Sequence, residues 1–270
     1  MNKDLLELYS DYLLSAFSHT TATGLSAMTG GSVSHDKITR FLANEKLDSS
    51  ALWLLAKPMV PQLDGQEEQW EESAVLIIDD TIEEKPYTDE SELVCWQHYD
   101  HSQGRNVKGI NLISALYQVG EASVPVAFEL VKKTQWVFDK KKQKWQRKSP
   151  TTKNEHYRQM LSACLKNRIG FRYVLNDVWY ASSENMRHVS RRSWQKNSSC
   201  PLRPIVSWPS LSLEDKKRGN YEQVGSLKLE PNTTRWVYLE QVPFALLLCK
   251  QVFKNEDGSE GVLYLVSRAI

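Results

Sequence analysis

Two short apolar segments of the sequence are each followed at once by aspartate. Residues 74–78 (AVLII) precede the tripeptide DDT that begins at Asp79, and residues 171–176 (FRYVLN) precede Asp177. Carboxylates at the carboxyl ends of neighbouring strands meet in one crevice of a sheet. Oxygen ligands of this kind favour Mg²⁺, and two such ions roughly 4 Å apart can hold the attacking and leaving oxygens of a phosphodiester. The simpler alternative is that each aspartate only serves the turn after its strand.

A second group of candidate residues lies on a predicted helix near the start of the chain. Ser34 is a suitable N-cap for a helix whose inner face would carry Ile38, Phe41 and Leu42. With a preceding helix at residues 20–28 and a glycine turn, this is the pattern of a helix-turn-helix, whose outward side chains can contact phosphates and base edges. The outward-facing residues would be His35, Lys37, Thr39 and Arg40. Plain scaffold helices have the same pattern, and that alternative stays open.

Charge is distributed unevenly along the chain, although 34 Lys and Arg nearly balance 33 Asp and Glu. Residues 64–92 hold twelve acidic side chains against Lys85 alone, whereas residues 132–158 hold ten basic side chains against Asp139 and Glu155. The first region could attract cations and the second polyanions, or both could be solvated faces.

The basic region also contains aromatic residues, a mixture that proteins use to track and stack on nucleic acid. Trp136, Phe138 and Trp145 alternate there with lysines, although the tip of an ordinary hairpin would look the same. The candidate contacts to the DNA backbone in this region and just before it are Arg105, Lys108, Lys141, Lys142 and Lys144.

The spacing of apolar residues, which predicts the helices and strands that position these side chains, changes near residue 70. Before it, helical spacing of apolar residues predicts helices at residues 3–17, 20–28, 34–42 and 52–59, with prolines ending the last. After it, the predicted strands are residues 74–78, 107–117, 123–131 and 171–175, and the predicted helices are residues 155–166 and 183–189. This order predicts a mixed α/β sheet.

Composition excludes several classes of protein. With 41% apolar and 25% charged residues, the chain is neither disordered nor collagen-like. No run of about 18 apolar residues predicts a membrane span, and the amphipathic start does not resemble a signal peptide. Four cysteines without CxxC spacing argue against a zinc ribbon and for a reducing cytoplasm.

Four blocks of the sequence resemble insertion-sequence transposases of the DDE type when taken in order. The blocks are IIDDTIEEKPYTDE, CWQHYDHSQGRNVKGINLI, KSPTTKNEHYRQML and YVLNDVWYASSENM. Within that type they are most similar to the cut-and-paste family typified by insertion sequence four. The resemblance extends over residues 2–190 and again over residues 211–267.

The resemblance implies an α/β fold with an RNase H-like mixed-sheet catalytic core, a helical DNA-binding domain before it and a β-rich insertion after it. It implies DNA strand cleavage and transfer with Mg²⁺ (or Mn²⁺) in a two-metal site. Transposon ends and target DNA would be the partners of a homodimer at the bacterial nucleoid in the cytoplasm, with no membrane and no small-molecule substrate. The family's D-x-T pattern makes Asp79 the first catalytic and metal-binding residue and Asp177 the second, with Asp80 at the variable position.

The sequence departs from the family at the third catalytic acid. In the family this glutamate lies on a helix, in a Tyr-x-x-Arg-x-x-x-Glu-x-x-x-x-x-x-Lys pattern, after the strand that here is VLYLVSR. The sequence given ends three residues past Ser267, and no residue matches that glutamate. We therefore expect a truncated, catalytically dead copy, since ligand positioning and charge neutralisation supply most of the catalysis. The alternative is a DNA-binding remnant that regulates transposition.

A second departure lies in residues 191–213, which have no usable periodicity and an abrupt change in composition. We interpret this stretch as translated out of frame, with a family-specific loop as the alternative. Out-of-frame translation would delete a core strand beside the crevice and lower the marginal stability of the domain. The predicted divisions are residues 1–70 for DNA binding, 71–190 for the catalytic core, 191–213 for the anomalous stretch and 214–270 for the insertion.

Overall fold

The computed structural model describes residues 2–17, 19–65, 73–100, 104–141, 143–192, 197–202 and 209–268. The chain divides by packing into two compact units, Met1–Ala51 and Leu52–Ile270. This packing boundary lies earlier than the boundary near residue 70 that the sequence suggests, and the functional domains drawn there stay predictions.

The first unit is built from three capped helices, as predicted. They are α1 (Lys3–Ser15), α2 (Ala22–Met28) and α3 (His35–Asn44), and the side chains of Asn2, Thr21 and Ser34 cap them. The small core between them buries Leu5, Tyr12, Leu25, Ile38 and Phe41. The prediction that Leu42 also faces inward is wrong, because its side chain is 39% exposed. A core of three short helices covers only a narrow stripe of α3, and Ile38 and Phe41 fill it.

Two further helices, α4 (Ser49–Ala56) and α5 (Val60–Asp64), replace the single helix predicted at residues 52–59. Pro61 lies in the first turn of α5, where an N–H is not needed, so this proline begins a helix instead of ending one. Ala56 and Val60 pack into the main core of the second unit. Asp64 accepts a 2.6 Å hydrogen bond from the hydroxyl of Tyr117.

The second unit contains a large mixed sheet, a separate hairpin and three more helices. Its strands are β1 (Val75–Glu84), β2 (Cys95–Asp100), β3 (Arg105–Val119), β4 (Ala122–Leu130), β5 (Gln135–Asp139), β6 (Lys144–Lys148), β7 (Tyr173–Asn176), β8 (Asn197–Leu202), β9 (Pro209–Ser210), β10 (Thr234–Leu239), β11 (Leu246–Lys254) and β12 (Glu260–Ser267). Its helices are α6 (Lys153–Lys166), α7 (Ser183–Arg192) and α8 (Leu213–Arg218).

β1 lies at the centre of the sheet. It pairs antiparallel with β3 and parallel with β7, β4 pairs with β3, and β8 pairs parallel with β7. The order β4-β3-β1-β7-β8 is that of an RNase H-like core, so the predicted mixed sheet is confirmed. β1 is longer than the predicted segment at 74–78, because its polar second half stays paired with β3 as far as Glu84.

α6 covers one face of this sheet. It buries Tyr157, Met160, Leu161 and Cys164 against the strands, as its periodicity predicts. On β1 the alternate residues Leu76 and Ile78 are fully buried, and side chains alternate across a strand. The face of β1 with even residue numbers therefore belongs to the core shared with α6.

The expected loss of a core strand within residues 191–213 is wrong. β8 lies in this stretch and pairs with both β7 and β12. Through β12 the sheet continues into β11 and β10, where Val237, Leu248 and Val266 form a second core with Met186 of α7. Backbone hydrogen bonding does not require a periodic sequence, so irregular composition alone did not exclude a strand. Residues 193–196 and 203–208 lie outside the described part, and the out-of-frame origin stays a prediction.

Replacing Ile78 by alanine should cost much more stability than the same change at its neighbour Ile77. Ile78 is fully buried, and its truncation leaves a cavity worth about 2–5 kcal/mol. Ile77 lies on the opposite face of β1 and is partly exposed, so its loss should stay below about 2 kcal/mol. Urea denaturation of both variants measures the difference, and equal losses would contradict this assignment of faces.

Candidate active site

Parallel pairing of β1 with β7 brings the two predicted aspartates together. Ile78 is the register partner of Asn176, so Asp79 and Asp177 follow the last matched pair on adjacent strands. Neighbouring strands lie about 4.8 Å apart. Both carboxylates are exposed, and the side chain of Asp177 also caps the 3₁₀ turn Val178–Tyr180 by accepting a hydrogen bond from the Val178 amide. Asp79 and Asp177 therefore lie side by side on adjacent strands, and their role as a catalytic pair stays a prediction.

Asp80 points to the other side of β1 and is held by three side chains. Its carboxylate pairs with the ammonium of Lys153 at 2.5 Å and accepts hydrogen bonds from Asn111 Nδ2 at 2.8 Å and from the Tyr180 hydroxyl at 3.0 Å. The side chain of Asp80 is only 13% exposed. By contrast, the carboxylate of Asp79 accepts a hydrogen bond from the backbone amide of Asp80 at 2.8 Å. The structure thus gives adjacent aspartates different surroundings.

These surroundings shift the two pKa values in opposite directions. Burial raises the pKa of the Asp79 carboxyl, and the negative charges of Asp80 and Asp177 add to that increase. Burial also acts to raise the pKa of Asp80, but the hydrogen bonds from Lys153 and Asn111 outweigh it, and the pKa is lowered overall. The charged form of Asp79 is therefore disfavoured by its surroundings, whereas the charged form of Asp80 is stabilised by Lys153 and Asn111.

The groups around Asp80 are themselves fixed by two helices. A capping box between Thr152 and Glu155 starts α6 and places Lys153 in its first turn. The ring of Tyr180 stacks on Tyr157 of α6 at 5.3 Å. Asn185 of α7 is buried and donates a 3.0 Å hydrogen bond to the carbonyl of Tyr180. The Asp80 network is therefore tied into the helix layer.

The chemistry of the donor set fits a hard cation. Asp79 and Asp177 offer only carboxylate oxygens, which suit Mg²⁺ or Mn²⁺ with water in the remaining positions. Across the described residues, no three His, Cys, Asp or Glu side chains are grouped closely enough to hold a metal ion. Asp79 and Asp177 are thus two candidate ligands, and their binding of a cation stays a prediction.

The predicted DNA-binding residues of α3 lie on its outer surface. His35, Lys37, Thr39 and Arg40 are all exposed. His35 lies 3.1 Å from Asp36, and Arg40 Nε donates to the Asp36 carbonyl at 3.2 Å. All four residues therefore face outward, as the helical spacing indicates, and their contact with DNA stays a prediction.

The other predicted DNA contacts lie in two separate places. Arg105 forms a two-point ion pair with Glu84, and the ammonium of Lys108 lies 5.5 Å from the centre of the Trp96 ring, so both have protein partners. Lys141 and Lys144 are exposed at the end of the β5–β6 hairpin. Lys142 lies outside the described residues.

Sequence reasoning did not identify Asn111, Lys153 and Tyr180 as site residues. Each lies in one of the four blocks that carry the family resemblance. Of the three, Asn111 was the easiest to find from the sequence, because it is a polar residue in an apolar strand. In the structure it is fully buried. The role of Lys153 depends on a pairing with a residue 73 positions away, which local pattern does not reveal.

Comparison with known proteins gives a family match. The family model described as DDE superfamily endonuclease matches residues 2–195. No curated protein matches the chain. Among the residues described, no helix has both the length and the apolar character needed to cross a membrane.

Two solved structures with similarity to the chain are transposase complexes. A piggyBac transposase synaptic complex with hairpin DNA is 12% identical, with a TM-score of 0.44, over 99% of this chain and 52% of that chain. A Mos1 strand transfer complex is 14% identical, with a TM-score of 0.22, over 69% of this chain and 53% of that chain. The chain therefore spans about half the length of these transposases.

Asp79→Asn and Asp80→Asn should change stability in opposite directions at neutral pH without divalent cations. The ionised form of Asp80 is stabilising, so its loss should cost about 1.5–3 kcal/mol, and this cost should vanish as the pH falls below the ordinary value of 3.8. The pKa of Asp79 is raised, so removing its charge should stabilise by at most about 1 kcal/mol, since the group is exposed and screened. Urea denaturation with a chelator present, at about pH 3 and about pH 8, measures the free energy of unfolding of both variants. Equal losses of stability in the two variants would contradict the different surroundings assigned to Asp79 and Asp80.

Proposed function

Since the chain belongs to the DDE superfamily endonucleases, we propose that Asp79 and Asp177 are the metal-binding carboxylates of a site for DNA strand cleavage and transfer. The observation that carries this proposal is that Asp79 in β1 and Asp177 just after β7 lie side by side on adjacent parallel strands, while the neighbouring Asp80 is occupied by Lys153, Asn111 and Tyr180. A turn aspartate needs no such partner on the next strand.

The side chains of the site would have different roles. Asp79 and Asp177 would hold Mg²⁺ or Mn²⁺, which when bound polarises a phosphate oxygen and favours deprotonation of water. Lys153 would keep Asp80 neutralised, so that only one of the adjacent aspartates competes for the cation. Partial burial and, to a smaller extent, the charges of Asp80 and Asp177 raise the pKa of Asp79, and a bound cation would stabilise the carboxylate against both effects.

The substrate of this proposal is DNA, in the form of transposon ends and a target. The finer resemblance to the family typified by insertion sequence four adds cut-and-paste transposition, a second metal ion and a dimer on paired ends. The proposal also includes a location at the nucleoid of a bacterial cytoplasm.

Two carboxylates alone form an incomplete catalytic set. The described residues contain no group of three metal-binding side chains. Catalysis of phosphoryl transfer rests on positioning and on charge neutralisation, so a missing ligand costs orders of magnitude in rate. We therefore expect the 270-residue chain alone to bind a divalent cation without cleaving DNA.

Mn²⁺ binding and plasmid nicking test this proposal together. Mn²⁺ at about 100 times its Kd should stabilise the wild-type protein by about 2.7 kcal/mol, and Asp79→Asn and Asp177→Asn should lose this effect. Asp80→Asn is the matched control and should keep it. A supercoiled plasmid carrying the coding locus with its flanking DNA should remain intact.

The outcomes separate the two parts of the proposal. Equal loss of Mn²⁺ stabilisation in Asp80→Asn, or no stabilisation of the wild type, would overturn the metal site. Nicking that disappears in Asp79→Asn would overturn the expected inactivity and support the strand-cleavage site.

A second candidate function is DNA binding without chemistry. The observation that favours it is the exposed face of α3 with His35, Lys37, Thr39 and Arg40. Such a protein would occupy transposon ends and compete with an intact transposase. It needs no catalytic acid.

Lys37→Ala should weaken binding to a DNA fragment from the coding locus and lower the slope of log K against log salt by about 0.9 per lost phosphate contact. Lys46→Ala, an exposed lysine outside α3, is the matched control and should change neither value. Arg40→Ala should reduce the preference for locus DNA over unrelated DNA if this helix contacts bases. Binding that is identical in all three variants would reject α3 as the DNA-binding surface.

A further inference from the structure

The β5–β6 hairpin stands apart from the cores of the second unit. Its strands pair only with each other among the described residues, and none of its described side chains belongs to a buried core. Between residues 135 and 148 the sequence carries six cationic side chains against one acid, Asp139. The hairpin is therefore strongly basic and forms a separate two-stranded sheet among the described residues.

The two faces of this hairpin differ in chemistry. Trp136 pairs with Arg147 and Phe138 pairs with Trp145 across the strands, and these four residues alternate so that they share one face. The side chains of Trp136, Phe138 and Trp145 are 56%, 40% and 63% exposed. Asp139 belongs to the opposite face. The hairpin thus presents an exposed aromatic face on a basic support.

The rings of the aromatic face are held in place by contacts within the hairpin. The guanidinium of Arg147 lies 4.6 Å from the centre of the Trp136 ring, and Phe138 meets Trp145 edge to face at 5.5 Å. Asp139 fixes the turn by accepting hydrogen bonds from the Lys141 amide and from Gln146. Because the rings are already ordered, little conformational entropy remains to be lost when a flat ligand stacks on them.

Both ends of the hairpin are anchored beside the candidate active site. Before β5, the Val131 amide donates a 2.9 Å hydrogen bond to the carbonyl of Asn111, whose side chain binds Asp80. After β6, Lys153 pairs with Asp80 and lies five residues beyond Lys148. Five residues span at most about 18 Å, which corresponds to roughly five stacked nucleotides.

We propose that the aromatic face of the hairpin, defined as Trp136, Phe138, Trp145 and Arg147, binds unpaired bases of a DNA strand next to the carboxylate pair. This inference rests on the proposed function for its DNA substrate, and it adds a preference for single-stranded or frayed DNA. Same-face residues on a strand are about 6.8 Å apart, twice the spacing of stacked bases, so one base fits between successive rings. The surrounding lysines supply the attraction for phosphates.

Binding to three labelled DNA probes tests this inference in the full chain with Ca²⁺ in place of a catalytic cation. The probes are a duplex of about 25 base pairs, the same duplex with an unpaired tail of about six nucleotides, and the single strand. The wild type should prefer the tailed duplex and the single strand over the blunt duplex. Trp145→Ala should weaken binding to these two probes by about 5- to 160-fold, as expected for loss of one stacked base, and leave the blunt duplex unchanged.

Control variants separate stacking from charge and from misfolding. Trp145→Phe should keep most of the preference, and Trp236→Ala, which removes an exposed tryptophan of β10, should keep all of it. Lys144→Ala should lower the salt dependence for every probe without changing the ratio between them. A 2-aminopurine base in the tail should change its fluorescence on binding to the wild type and not to Trp145→Ala.

Each result bears on one of the two proposals. A wild type that binds the blunt duplex but shows no preference for unpaired bases would overturn this inference and leave the proposed function standing. A wild type that binds none of the probes would overturn both. If Trp145→Ala leaves DNA binding unchanged but converts a dimer to a monomer in sedimentation, the face contacts a second copy of the chain and the inference fails.

Discussion

Parallel pairing of β1 with β7 is the constraint on which the candidate site depends. Since side chains alternate along a strand, a slip of one residue would exchange the positions of Asp79 and Asp80. The register is held by burial of Leu76 and Ile78 and by the hydrogen bonds that fix Asp80 on the same face. The core and the site are therefore not independent, because the residues that bury the strand also decide which aspartate meets Asp177.

The same alternation solves an electrostatic problem. Two adjacent carboxylates within a partly buried strand would repel each other, and each would lose hydration. The fold neutralises one of them with Lys153, and it leaves the other at the surface beside a second carboxylate. The resulting surplus of negative charge is confined to the place where a cation is proposed to bind, and the remaining network supplies rigidity around it.

Much of the fold was predictable from local sequence patterns, whereas the different surroundings of Asp79 and Asp80 were not. Apolar runs and helical spacing located β1, β3, β4, α6 and α7, and they correctly placed Asp177 after a strand. The prediction that Asp79 also follows the end of its strand is wrong, because β1 continues to Glu84 through its pairing with β3. Leu42 and β8 were misjudged because narrow packing stripes and backbone pairing leave little trace in composition. The partners of Asp80 come from three separate segments, so only the assembled sheet and helix layer brings them together.

The structure also explains part of the uneven distribution of charge along the sequence. Part of it is neutralised internally, since Lys153 of the basic region pairs with Asp80 of the acidic region and Arg105 pairs with Glu84. The charged residues that remain exposed include the carboxylate pair and the hairpin lysines Lys140, Lys141, Lys144 and Lys148. A DNA phosphate approaching Asp79 and Asp177 would be repelled unless a cation is bound, while the hairpin is proposed to attract the same strand a short distance away. This arrangement favours an order of events in which the hairpin binds the DNA strand first and the cation then completes the contact at the carboxylates.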